Sequence, residues 1–190
     1  MMLHQIHGVP DLILTVEAIE TCSGHKMMRG SAMEPSGQTL VLGIGNTLLG
    51  DDGFGVHVAN LIAASPDLGP NVAVRDGGTL GLTLLPDIED SERLIVIDAG
   101  EIGSAPGTMQ VLFGDEMDAH LGRCKGTVHA VALADLIGAA RLTGRVPGQR
   151  ALVLVQPEHV GWGDGPSAPV AAAIPKACDA VRSILGEWPQ

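Results

Sequence analysis

The chain is poor in aromatic residues and in positive charge. Among its 190 residues are two Trp, two Phe and no Tyr, against 26 Gly, so small residues must do much of the packing in its core. Lys and Arg together number 11 and Asp and Glu number 22, which gives a formal net charge of -11. Because phosphate binding needs clustered Lys and Arg, this composition argues against a nucleic-acid partner.

Cysteines and long apolar runs are also scarce. The three cysteines are Cys22, Cys124 and Cys178, none in C-x-x-C spacing, and one must stay unpaired, which favours a reducing compartment over secretion. No apolar run approaches the roughly 20 residues of a membrane helix. Acidic residues interrupt the one apolar stretch near the N-terminus, residues 12–19, which argues against a signal peptide. We therefore expect a cytoplasmic protein without a membrane partner.

The first 38 residues differ in character from the rest of the chain. They contain three histidines, five methionines and no clear core strand. We interpret residues 1–38 as an N-terminal extension that is expected to be poorly ordered, with 12–19 as a candidate short helix. Residues 39–190 are then the functional domain.

From residue 39 onward, apolar strand-like runs alternate with helical patterns. The predicted strands are 40–44, 72–75, 94–97, 109–113 and 152–155, and the predicted helices are 53–64, 80–88, 127–142 and 168–185. Thr127 is the expected N-cap of the third helix. The alternation predicts an α/β fold, a single-domain three-layer sandwich with a mostly parallel, twisted five-stranded sheet and helices on both faces.

Acidic residues follow three of the predicted strands. Asp51 and Asp52 come after the first strand, Asp76 ends the second and Asp98 ends the third. One such Asp is ordinary turn chemistry. Because parallel strands end at the same edge of a sheet, three acidic sites there concentrate negative potential that a cation or a proton would relieve. This repetition predicts a functional site at that edge.

His129 is the natural third partner of these carboxylates. It lies in the first turn of a predicted helix, where the helix dipole favours the neutral imidazole that ligates metals. Two carboxylates and one imidazole suit a borderline divalent ion such as nickel. Each residue alone also has a simpler interpretation: His129 as a packing or capping residue, Asp98 as a turn former, and Asp51 or Asp52 as a helix cap.

Residues 42–55, LGIGNTLLGDDGFG, resemble the opening signature of the hydrogenase maturation proteases. Weaker matches follow in the expected order at 76–79, 96–99, 106–108, 128–129, 133–136 and 156–158. The resemblance implies a mainly parallel sheet between helices. It also implies an endopeptidase that removes the C-terminal extension of a nickel-iron hydrogenase large-subunit precursor once nickel is inserted. That family cuts after a Cys-x-x-Cys-x-x-His/Arg motif in its partner.

The family's metal contacts are an acid in the first loop, a strand-ending Asp and a His, and they match Asp52, Asp98 and His129. Some family members have Glu at the first position, whereas Asp52 reaches one methylene less far. Without a thiolate, such a site should hold a metal weakly, so we expect nickel to be supplied by the precursor and not to be tightly bound in the free enzyme. Asp76 is the candidate catalytic acid–base residue, with a structural turn as its alternative.

Other functions compete with this hypothesis. A non-catalytic nickel-binding maturation chaperone could use the same three ligands. The G-x-G-N at residues 43–46 also suggests a dinucleotide-binding protein or a nucleotide or peptidyl-tRNA-type hydrolase. Leu48, however, replaces the third glycine of the dinucleotide fingerprint, and two acids would repel a substrate phosphate.

Overall fold

The computed structural model describes residues 13–14, 37–79, 81–123 and 128–188; for 13–14 and 128–131 it describes the backbone only. The strands are β1 (Ile13–Leu14), β2 (Thr39–Ile44), β3 (Val72–Gly78), β4 (Arg93–Ala99), β5 (Met109–Phe113) and β6 (Gln149–Val155). The helices are α1 (Phe54–Ala63), α2 (Leu85–Glu89), α3 (Gly114–Arg123), α4 (Val128–Leu142) and α5 (Ala168–Glu187). Two 3-10 turns, Asp51–Gly53 and Leu82–Leu84, precede α1 and α2.

The strands form one sheet in the order β1-β5-β6-β4-β2-β3. Neighbouring strands are parallel except β5 and β6, which are antiparallel. The five predicted strands and the mostly parallel sheet are confirmed. As a result, β2, β3, β4 and β6 all end at one edge, which we call the carboxyl edge.

Two separate apolar cores cover the two faces of the sheet. On one face, α1 and α5 pack against alternate strand residues such as Val41, Ile95 and Val153. On the other face, α2, α3 and α4 pack against the intervening residues, such as Leu42 and Val96. This alternation is what a sheet buried on both sides requires, and it confirms the three-layer sandwich. No helix in the described part of the chain has the length and apolar character needed to cross a bilayer.

Several elements differ from the sequence prediction. Ile13–Leu14 forms a short strand beside β5, where a helix over 12–19 was expected, because an unpaired strand edge offers backbone groups that an added strand can satisfy. The predicted helix 80–88 is α-helical only from Leu85, where Pro86 suits a first turn. Helix α3 was not predicted at all. The expected N-cap Thr127 lies outside the described residues.

Candidate functional site

Two of the predicted site residues are buried carboxylates at the carboxyl edge. Asp52 lies in the 3-10 turn after β2 and is 4% exposed, and its Oδ2 accepts a hydrogen bond from the backbone N–H of Asn46 at 2.8 Å. Asp98 lies near the end of β4 and is 3% exposed, and its Oδ1 accepts one from the N–H of Ala99 at 2.8 Å. Backbone donors therefore orient both acids.

Close backbone packing holds this part of the edge together. A Cβ atom at Gly55, in the first turn of α1, would collide with the carbonyl oxygens of Ile44 and Ile97. A Cβ at Gly45, whose φ is 126°, would collide with the carbonyl oxygen of Asp52. The 3-10 turn itself contacts β4. Glycine at these positions lets the turn with Asp52 lie directly against the ends of β2 and β4.

His129 is the second residue of α4, which covers the same face of the sheet as Asp98. The end of α4 lies at the opposite edge of the sheet, where the parallel strands begin. There Oγ1 of Thr143, just after α4, donates to Oε1 of Glu89, which lies shortly before the start of β4, at 2.6 Å. Since a helix of 15 residues is about 22 Å long, the first turn of α4 lies toward the carboxyl edge. The imidazole of His129 is outside the described side chains, among which no three His, Cys, Asp or Glu residues group as metal ligands. The three-ligand site therefore stays a prediction.

Asp76 differs from the other acids in being exposed to solvent. It lies within β3, which continues to Gly78, and its Oδ1 accepts the N–H of Gly78 at 2.9 Å in a local turn. The side chain also borders a cavity of about 290 Å³, whose lining is Gly45, Asn46, Thr47, Val56, Asp76, Gly78 and Thr79. The same loop that orients Asp52 thus forms one wall of a cavity beside Asp76. Its catalytic role stays a prediction.

Asp51 has a role that the sequence did not reveal. Its carboxylate, 1% exposed, accepts four hydrogen bonds from the segment after β6. Oδ2 accepts the N–H of Glu158 at 2.8 Å, the N–H of His159 at 3.0 Å and the hydroxyl of Ser167 at 2.9 Å, and Oδ1 accepts the N–H of Ser167 at 2.6 Å. Asp51 therefore anchors the loop at 157–167 to the 3-10 turn that also carries Asp52.

The interpretation of Asp51 or Asp52 as a helix cap is wrong. Neither the 3-10 turn nor α1 has a side-chain cap hydrogen bond, and their N-cap positions are Gly50 and Gly53. The partners of Asp51 are 107 to 116 residues away along the chain, so no local pattern could have identified them.

Electrostatics at Asp51 favour the ionised form. Burial alone raises the pKa of Asp51, but the hydrogen bonds from His159, Ser167 and Glu158 outweigh it, so the pKa lies below its ordinary value of 3.8. The carboxylate therefore stabilises the folded protein above the unfolded-state pKa, and this contribution is lost as pH falls through the folded-state value.

Replacing Asp51 by Asn is expected to lower the free energy of unfolding at pH 7 by about 2 to 3 kcal/mol, because the amide nitrogen offers donors where the loop already supplies donors. The difference from the wild-type protein should shrink as pH falls below the ordinary value of 3.8 and through the lower folded-state pKa, where the buried carboxylate itself becomes protonated. Urea unfolding at both pH values measures it. Asp179→Asn, at a side chain that is 61% exposed, is the matched control and should change stability by under about 0.5 kcal/mol. Equal stability of both variants would contradict the role assigned to Asp51.

The loop after β6 is anchored at its start as well. Gln156 is buried, its Oε1 accepts the N–H of Ile102 at 2.9 Å, and its Nε2 donates to Glu101 at 2.9 Å. Gln156 and Asp51 thus hold successive parts of the carboxyl edge in place.

Comparison with known proteins agrees with this architecture. Residues 56–184 match the family model described as hydrogenase maturation protease. The hydrogenase 2 maturation protease of Escherichia coli K12 is 38% identical over 149 residues, which cover 78% of this chain and 90% of that protein. The hydrogenase expression/formation protein HupD of Rhizobium leguminosarum is 37% identical over 155 residues, which cover 81% of this chain and 77% of that protein.

A solved structure shows the same fold. The hydrogenase maturating endopeptidase HybD from Escherichia coli superimposes with a TM-score of 0.75 at 37% identity, covering 79% of this chain and 93% of that one. These matches do not favour the alternatives of a non-catalytic chaperone or a nucleotide or peptidyl-tRNA-type hydrolase. They confirm the resemblance that the motifs suggested: the chain belongs to the hydrogenase maturation proteases, and it is a peptidase.

Proposed function

We propose that this peptidase removes the C-terminal extension from the large-subunit precursor of a nickel-iron hydrogenase, after nickel has been inserted. The observation that carries the proposal is the pair of buried, backbone-oriented carboxylates of Asp52 and Asp98 at one edge of the sheet, in a chain of this family. We place the reaction in the cytoplasm, since the sparse cysteines suit a reducing compartment.

In this proposal nickel arrives as part of the substrate, bound by precursor thiolates. Asp52, Asp98 and His129 fill its remaining coordination positions, and their two oxygens and one nitrogen are ligands that nickel accepts. Both carboxylates are already held by backbone N–H groups, so little order has to be created when the precursor binds. Contact with nickel would thus test that the metal is present and would position the scissile bond.

Asp76 is proposed as the acid–base residue. It is exposed beside the cavity next to the Asn46 loop, and the N–H of Gly78 orients its carboxylate. A water molecule there would attack the scissile carbonyl carbon while Asp76 takes its proton. Asp76 would then pass this proton to the amide nitrogen as the C–N bond breaks, which releases the C-terminal peptide with a new amino group and leaves a new carboxyl group at the end of the large subunit.

The proposal is tested by incubating the purified protein with the nickel-loaded large-subunit precursor encoded in the same genome. Intact-mass spectrometry should show one discrete loss at the C-terminus of the precursor, and the released peptide should account for it. Precursor incubated alone for the same time is the control. Binding of the precursor with no change in its mass would contradict the proposal and would support a chaperone.

A further inference from the structure

Exposed apolar side chains are concentrated beside the candidate site. Among the described residues, the large hydrophobic side chains that stand open to solvent are Leu48, Leu61, Leu82, Leu142, Val160 and Trp162. Leu61, Leu82 and Leu142 lie on three separate elements. Leu48, Val160 and Trp162, which are 59%, 50% and 83% exposed, come from two loops that contact each other. We call these three residues the Trp162 platform.

The two loops of the platform are joined through their backbones. Leu48 and Leu49 offer carbonyl oxygens to the N–H groups of Gly163 at 3.3 Å and Gly161 at 3.4 Å. Bridges also connect Leu49 with Gly163 and Gly50 with Val160. The backbone of Trp162, between its two bonded glycines, therefore lies beside the backbone of Leu48 and Leu49. The exposed indole therefore belongs to a backbone segment that is hydrogen-bonded to the neighbouring loop on both sides of Trp162.

The same loops are continuous with the candidate site. The N–H of Asp52 lies 3.4 Å from the carbonyl oxygen of Leu49, and Asp51 binds the backbone of Glu158, His159 and Ser167 on the other loop. A partner seated on the platform would therefore lie beside the edge that carries Asp52. Exposed apolar area of this kind, ordered in advance, is a feature of protein-binding surfaces.

The charged side chains around the platform indicate which kind of partner would bind there. Glu158 and Asp164 are both exposed and flank Val160 and Trp162 in the same loop. The chain as a whole has a net charge of -11. An apolar surface with an acidic rim is complementary to an apolar side chain that has a positive neighbour.

From these observations we propose that the Trp162 platform docks the large-subunit precursor. Its occupant is a surface segment with an aromatic or aliphatic side chain beside a Lys or Arg: the apolar group packs on Trp162 and Leu48, and the cation faces Glu158 and Asp164. This inference rests on the proposed function, since it concerns recognition of the same substrate.

The test is steady-state processing of nickel-loaded precursor over a range of concentrations by Trp162→Ala. Removing a central aromatic contact should raise KM by about tenfold or more, while kcat stays within about twofold because the residue lies outside the reacting groups. Trp162→Phe, which keeps an aromatic ring, should have a KM much closer to the wild-type value. The matched control is Leu142→Ala, at a side chain that is 92% exposed at the end of α4, and its KM should equal the wild-type value.

The acidic rim is tested separately with the double variant Glu158→Gln and Asp164→Asn. Its KM should rise severalfold at low salt, and the dependence of KM on salt should weaken relative to the wild-type protein. A KM and salt dependence equal to those of the wild-type protein would overturn the choice of a basic segment.

Three results for Trp162→Ala would overturn the docking proposal: an unchanged KM, a loss confined to kcat, or a sedimentation coefficient that differs from that of the wild-type enzyme when both are measured without precursor. The last would mean that a second copy of this chain covers the platform. Direct binding of the nickel-loaded precursor, measured as Kd for wild-type and Trp162→Ala protein, tests docking even without cleavage. Failure of the wild-type protein to cut would count against the proposed function alone.

Discussion

Asp98→Asn is expected to reduce processing of the nickel-loaded precursor by at least about a hundredfold. Mutating residues that only orient a metal's ligands already lowers activity about ten- to a hundredfold, and a direct contact should matter at least as much. The fold should be retained. The amide side chain of this variant keeps an oxygen that can accept the N–H of Ala99, as Oδ1 of Asp98 does at 2.8 Å, and the substitution removes the negative charge of a buried group. Thermal melting and precursor mass, measured on the same preparations, check both parts.

A matched control for this variant is Asp115→Asn, the same chemical change at a fully exposed side chain on α3. It should leave processing and melting temperature at wild-type values. If Asp98→Asn were clearly destabilised yet cut the precursor at the wild-type rate, Asp98 would be a turn former and not a nickel contact.

The second large effect concerns the substrate. Metal-stripped enzyme should cut nickel-loaded precursor and leave nickel-free precursor uncut, a difference of at least about a hundredfold in rate. The proposed contacts Asp52, Asp98 and His129 would supply two oxygens and one nitrogen but no thiolate, and such a set is expected to bind divalent ions weakly by itself. Nickel that is already held by precursor thiolates would need only its vacant positions filled, so we expect recognition to depend on metal in the substrate.

The assay compares four combinations: enzyme with and without added nickel, each with nickel-loaded and nickel-free precursor, read by intact mass. Equal cleavage of both precursors would contradict recognition through nickel. Cleavage that appears only after metal is restored to the enzyme would identify an ordinary metalloprotease with a resident ion.

The sequence was sufficient to predict most of the sheet. The runs around Val41, Ile95 and Val153 are continuously apolar because both faces of these strands are buried, and that pattern is typical of parallel strands. It did not reveal α3, whose buried side chains are only Met117 and Leu121 in an otherwise polar segment. The pairing of β5 with Ile13–Leu14 was also missed, since strand pairing joins residues distant in sequence.

By itself, the sequence determined the family, through its opening signature, and the edge of the sheet at which acids collect, through strand-ending aspartates. Only the tertiary structure assigned different roles to the adjacent Asp51 and Asp52. In a 3-10 turn, successive side chains point about 120° apart, so these neighbours face different surroundings. Asp51 meets a loop more than a hundred residues away, whereas Asp52 is bound by its own loop at Asn46. The long-range contacts, which local sequence does not encode, give Asp51 a structural role and leave Asp52 as the candidate for the site.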